Sequence, residues 1–131
     1  MPGDVSAIVS PIIAKWCAGF ERLDAETLAA LYSRNAFFFG SNPNLYRGRD
    51  GIADYFKGLP RWTSQRAAFS EIVAAEVGRD LINMAATASF FLDGSETPTL
   101  LVKITWSIVR EDGDWKIASH HVSSKAPLLS A

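Results

Sequence analysis

The chain is short of the side chains on which most enzymatic chemistry relies. Of its 131 residues one is a cysteine, Cys17, and two are histidines, His120 and His121. A lone thiol excludes an internal disulfide and suits a reducing compartment. With no further His or Cys at ligand spacing, a zinc site is not expected, and no cofactor is implied. An excess of one charge is also missing: 13 basic against 14 acidic residues leave a net charge of −1. That balance supplies no long-range field to gather nucleic acid or an anionic membrane surface. Arg47, Arg49, Arg61 and Arg66 cluster, but Asp50 and Asp54 lie among them, so the group reads as a solvated rim before it reads as a phosphate site. No stretch approaches the roughly 18–20 apolar residues of a membrane span. The opening MPGDVSAIVS has no basic segment followed by an apolar run, so the cytoplasm is the default address. There is no glycine-rich phosphate loop or nucleophile elbow, and no internal repeat, low-complexity tract or linker. One domain over residues 1–131 is expected.

What the chain does have is apolar surface: 48% of residues are hydrophobic, enough to fill a real core at this length. Val5, Val9, Ile13, Trp16, Phe20 and Leu23 recur at spacings of four and three, the stripe of an amphipathic helix. Pro11 allows two readings. Either Ser10 caps a helix that begins at Pro11, or a longer helix carries the proline inside it and is kinked there. Asp24 precedes Ala25-Glu26-Thr27-Leu28, where its carboxylate can cap exposed N–H groups of a second helix running to about Tyr32. Ala36-Phe37-Phe38-Phe39 reads as a strand stopped by Gly40-Ser41-Asn42-Pro43, and Leu45 to Gly48 as a short one. Asp50 is placed to cap a third helix through Ile52, Tyr55, Phe56 and Leu59, which Pro60 closes.

From about Arg66 the texture changes. Residues 67–77, 81–92, 99–110 and 114–124 read as strands separated by Gly78-Arg79-Asp80, Asp93-Gly94-Ser95-Glu96 and Asp112-Gly113. Those connectors are hairpin chemistry, so the strands should be antiparallel neighbours. Helices first and a meander afterwards is an α+β order, with three N-terminal helices covering one face of a mainly antiparallel sheet. Within residues 81–92 the even positions Ile82, Met84, Ala86, Ala88 and Phe90 are apolar, while Asn83, Thr87 and Ser89 face the other way. Residues 99–110 behave alike, with Leu100, Val102, Ile104, Trp106 and Ile108 opposed by Lys103, Thr105 and Ser107. Either the polar sets line a cavity and the apolar sets are convex, or the apolar sets are core and the polar sets meet solvent. The first reading favours a homodimer through the sheet.

The order and spacing of several short segments resemble the nuclear transport factor 2-like superfamily, and within it the SnoaL-like group, over nearly the whole chain. They are Trp16 with Leu23-Asp24, then Leu28 with Leu31-Tyr32 and Asn35-Ala36. Arg47-Gly48-Arg49-Asp50-Gly51-Ile52 with Tyr55-Phe56 follows, and finally Asp112-Gly113-Asp114-Trp115-Lys116-Ile117 ending in His120-His121-Val122-Ser123. The resemblance implies a cone-shaped, cystatin-like roll in which the first helix lies in the concavity of a strongly curved sheet, leaving a pocket at the open end. It also implies a tendency to dimerise. Similar domains include polyketide cyclases, isomerase-like and dehydratase-like enzymes, and the non-catalytic association domain of the calmodulin-dependent kinase, so fold does not fix function. Where the steroid-isomerase pattern places a tyrosine and an aspartate, this chain has Trp16 and Phe39-Gly40, which cannot carry that chemistry.

Any imidazole acid–base work must come from His120 or His121. Adjacent in a strand, they face opposite ways. A two-residue turn at Asp112-Gly113 pairs Glu111 with Asp114 and puts Trp106 on the face of His121. A three-residue turn with a bulge pairs Arg110 with Asp114 and puts Trp106 beside His120. Matching Trp115-x-Ile117 and His121-x-Ser123 to the family pattern favours His121 slightly. Trp16, Tyr32, Tyr46, Tyr55, Trp62 and Trp106 could line an aromatic cavity or simply be core, and the hydroxyls of Tyr32 and Tyr55 would need partners there. The reading that follows is a pocket for a small hydrophobic or aromatic molecule. It would host a cofactor-independent cyclisation, isomerisation or dehydration, with a histidine as base and a tyrosine hydroxyl or Asn83 steadying an enolate oxygen; Thr87 would complete the wall. A non-catalytic homodimeric binding or association module is the alternative.

Overall fold

The computed structural model describes residues 5–129; the first four and last two residues of the expected 1–131 unit lie outside it. Helix α1 spans Val5–Arg22 with Pro11 inside. This is the longer of the two expected helices, and the proline is accommodated on its exposed side. Val9, Ile12, Trp16 and Phe20 are its buried stripe. Asp24 caps α2 (Ala25–Ala29), accepting a hydrogen bond at 3.2 Å from the Thr27 backbone N–H. That helix is shorter than expected, because Tyr32 already belongs to β1 (Tyr32–Phe39). The short β2 (Leu45–Arg47) is followed by α3 (Gly48–Lys57), whose cap is Arg47; Asp50, expected to cap it, lies in its first turn. There its charge still favours the positive end of the helix dipole.

The meander follows as β3 (Gln65–Gly78), β4 (Leu81–Leu92), β5 (Leu100–Glu111) and β6 (Asp114–Ser124). Together the strands form a six-stranded sheet in the order β2-β1-β6-β5-β4-β3. All pairs are antiparallel except β1 with β6. Bulges and register shifts help bend it. One lies in β3 between Ser70 and Val73, where Glu71 takes φ 52°, a further one in β3 between Glu76 and Gly78, and another in β6 between Ile117 and Ser119. The fold is the α+β cone, with its helices on the concave face.

The bend decides which strand face is dry. Ile82, Met84, Ala86, Ala88, Ile104, Trp106 and Ile108 all point into the core with Leu28, Tyr32, Ile52 and Ile117. Each such fully buried large aliphatic side chain contributes about 1.5–3 kcal/mol by leaving water. The apolar sets of β4 and β5 are therefore core and not convex, so they offer no outward face for a dimer. A polar knot closes the far end of the sheet: the buried Ser33 hydroxyl donates to Glu111 Oε2 at 2.7 Å, Arg49 reaches Glu111 Oε1 at 3.1 Å, and Arg49 Nε donates to the Tyr32 carbonyl at 2.8 Å. The hydrogen bond from Ser33, helped by Arg34 and Arg49, holds the Glu111 carboxyl below its ordinary range. Among the described residues no helix is long and apolar enough to cross a membrane.

Candidate functional site

The concavity is only half filled. Around Trp106, Ile108 and Ile117 the side chains leave no room, but toward Leu100 and Ser124 a cavity of about 570 Å³ remains. Its walls are Trp16 and Phe20 from α1, Phe38 from β1, Tyr55 and Phe56 from α3, and Phe90 from β4. Leu59, Pro60 and Trp62 form one side of the mouth, and Leu100, Leu101, Ser123 and Ser124 contribute from the strand ends. No Asp, Glu, Lys or Arg lines it among the described residues. Gly40 permits the close packing at one wall, since a Cβ there would come within 2.5 Å of the Tyr55 ring. The Tyr55 hydroxyl accepts from the Ser41 backbone N–H at 2.9 Å and bonds the Ser41 hydroxyl at 2.8 Å.

The imidazole at the base of the cavity is that of His120, 4% exposed. Its Nδ1 lies 2.9 Å from Trp106 Nε1 and 2.9 Å from the Tyr32 hydroxyl, which in turn accepts from Trp16 Nε1 at 2.9 Å. Phe38 stacks on the imidazole at 4.1 Å between ring centres, and Trp16 lies at 6.3 Å, tilted 26°. Burial, with a smaller effect from His121, pushes the His120 pKa down to about 3, so the ring is neutral at physiological pH. Burial also raises the Tyr32 hydroxyl well above its ordinary value, so it is never a phenolate there.

His121 is on the other side of the sheet, exposed, with its ring 5.4 Å from that of Phe39. The slight preference for His121 as the pocket residue is thus corrected, and the reason is specific. The turn at Asp112-Gly113 is the two-residue kind, with φ 53° and 84° and Glu111 opposite Asp114. That alone would put Trp106 on the face of His121. Ala118, however, is an extra residue in β6, so the pairing shifts by one and Trp106 meets His120. The loop and the bulge, weighed as parts of two different answers, contribute one part each.

Of the other residues singled out from sequence, Trp16, Tyr55 and Trp62 line the cavity. Tyr32 and Trp106 are sealed behind it, each within hydrogen-bond distance of His120 Nδ1. Tyr46 is outside the lining, its hydroxyl accepting from Asn42 Nδ2 at 2.9 Å. Asn83 and Thr87 are on the outer face, where the Thr87 hydroxyl donates to Glu71 at 2.7 Å. Asn83 is therefore in no position to steady an oxygen in the pocket. Phe38 was missed: within Phe37-Phe38-Phe39 the alternation cannot say which ring is inside, and its pairing with His120 decides it. No group of three or more His, Cys, Asp or Glu stands together as metal ligands among the described residues. Burial and Glu21 push the Cys17 thiol up to about 11, leaving it a poor nucleophile.

The structure is thus a bent sheet wrapped over a helix, with a largely apolar cavity at the open end. The chain belongs to the SnoaL-like domain family, whose model matches residues 9–127. No curated protein sequence matches it. Among solved structures it is similar to a domain of unknown function with a cystatin-like fold from Nostoc punctiforme, at 19% identity over 98% of this chain and 81% of that one, TM-score 0.82. It is similar to a hexachlorocyclohexane dehydrochlorinase from Novosphingobium barchaimii, at 18% identity over 93% and 87%, TM-score 0.79. A candidate calcium/calmodulin-dependent protein kinase II association domain from Xanthomonas campestris is similar at 20% identity over 98% and 94%, TM-score 0.81. At these identities the likeness is one of fold.

Proposed function

We propose that this domain binds a small, uncharged, hydrophobic or aromatic molecule in the cavity beside His120. The carrying observation is the wall itself: an enclosure of drug-ligand size, about 570 Å³, lined by aromatic rings with a single imidazole at its base. Titrating flat aromatic compounds while following tryptophan fluorescence tests it, since Trp16 and Trp62 both line the cavity. Saturable quenching is expected, weakened roughly tenfold in Trp62→Ala by the loss of ring contact. Absence of saturation by any such compound would end the reading.

Catalysis of a cofactor-independent lyase or isomerase step is the second reading, supported by the dehydrochlorinase with the same fold. The histidine-base mechanism expected from the sequence is not retained in it. A base at Nε2 would require the proton to sit on Nδ1, and Nδ1 faces the indole N–H of Trp106, which can only donate. His120 would act there as a hydrogen-bond donor to developing negative charge.

A homodimer would use the outer face of the sheet and not the apolar sets of β4 and β5. Leu45, Phe39, His121, Thr105, Ala85 and Val73 form one row across the outer face. In and beside it Phe37 is 54% and Val73 67% exposed. A dimer through this face, in the cytoplasmic setting that a single free thiol suits, would cover them. Phe37→Glu should shift the molecular mass measured by light scattering from dimer to monomer; a monomeric wild-type chain would refute the dimer.

A further inference from the structure

Resting on the pocket reading above, we propose that the cavity selects neutral molecules that carry an accepting oxygen, a carbonyl above all, because His120 presents a fixed Nε2–H donor to it. The tautomer follows from the neighbours. Trp106 Nε1 donates to Nδ1 at 2.9 Å, and an indole nitrogen has no lone pair with which to accept. The Tyr32 oxygen already receives the Trp16 N–H, which leaves its own hydrogen free to point at Nδ1 as well. Two donors converge on one ring nitrogen, so that nitrogen is bare and the proton of the neutral imidazole is on Nε2.

The donor is also aimed. With Phe38 stacked at 4.1 Å and Nδ1 held by two bonds, the ring cannot swing. No protein group bonds Nε2 among the described residues, yet no fully buried side-chain nitrogen or oxygen there lacks a partner. Nε2 is therefore the polar atom through which His120 meets the cavity. The nearby hydroxyls of Ser41 and Tyr55 are bonded to each other, and Ser124 Oγ accepts from the Ala126 N–H at 3.1 Å. A hydrocarbon ligand would leave the Nε2–H desolvated and unpaired. A carboxylate would satisfy it but bring a charge against a lining that holds no cation. A neutral carbonyl satisfies the donor without that cost.

Three probes of one shape separate the possibilities by calorimetry on the full chain at neutral pH: methyl naphthyl ketone, isopropenylnaphthalene and naphthoate. The ketone should bind roughly tenfold more tightly than the hydrocarbon, the value of one hydrogen bond, and naphthoate roughly a hundredfold more weakly than the ketone. Equal or tighter binding of the hydrocarbon, or preference for naphthoate, overturns the selectivity and leaves the pocket reading standing. Binding of none of the three overturns both. In His120→Phe the ketone's advantage should vanish while the hydrocarbon still binds; a persistent advantage assigns the donor elsewhere and overturns the proposal. Imidazole nitrogen NMR of the nitrogen-labelled wild type needs no variant and no ligand: an Nε2-protonated neutral ring is expected, and a proton on Nδ1 overturns the proposal.

Discussion

On the inner face of the sheet His120 is sealed among Phe38, Trp16, Tyr32 and Trp106, and its nitrogen chemistry is dictated by three other side chains. One residue further along the same strand, His121 lies on the outer face beside Phe39 and opposite Thr105, open to solvent. The two share a residue type and a backbone conformation. What separates them is the pleat, which sends neighbours to opposite faces, and the curvature, which makes one face an interior. Burial turns a residue ordinarily half-charged near neutrality into a permanent donor, while exposure leaves its neighbour available for contact with another molecule.

The largest effect that would break this contrast is acid sensitivity. The unfolded chain takes up a proton at His120 near pH 6.5, whereas the folded chain resists it until about 3. The stability due to the neutral ring is complete above pH 6.5 and is lost as the pH falls through that interval, a loss on the order of 5 kcal/mol over the whole span. Glu111 and Asp112, whose carboxyls are also held low, add a loss of the same sign only below their ordinary values of 4.5 and 3.8. Urea unfolding between pH 6.5 and 4.5 therefore isolates His120, and a flat profile there would mean that the ring is not sealed. Next in size, Trp106→Ala on the inner face should cost about 3–5 kcal/mol, combining a cavity with loss of the donor to Nδ1. A loss under about 1 kcal/mol in the same unfolding experiment would place that ring outside the core. The smallest effect sharpens the other half of the comparison: at protein concentrations low enough to keep the chain monomeric, His121→Ala should change the unfolding free energy by no more than about 0.5 kcal/mol. A larger loss in the monomer would show that His121 is packed within its own chain, whereas a loss that appears only at high protein concentration is the one the dimer through this face predicts.

Much of this arrangement is legible along the chain. The α1 stripe, the Asp24 cap and the three hairpin connectors are local, set by spacing, capping chemistry and left-handed turn residues, and they read directly. Local reasoning fails where two local signals must be summed. Leu28, Leu31 and Tyr32 fit a helical stripe, which carries the second helix to Tyr32 on sequence alone; pairing of Tyr32 with Ile117 of β6 overrides it. Asn83 and Thr87 were set in the wall on polarity alone, although alternation gives two faces without saying which is wet.

By itself the sequence determined that helices precede a meander, that β4 and β5 each have one dry face, and that two neighbouring histidines must part company. Only the tertiary structure decided which dry face is the interior and which histidine enters it, because a single extra residue at Ala118 shifts the pairing by one and curvature is a property of the whole sheet. The donor role of His120 lies further still from the sequence: it depends on Trp106, Tyr32 and Trp16, residues 14, 88 and more than 100 positions away in the chain, meeting at one ring.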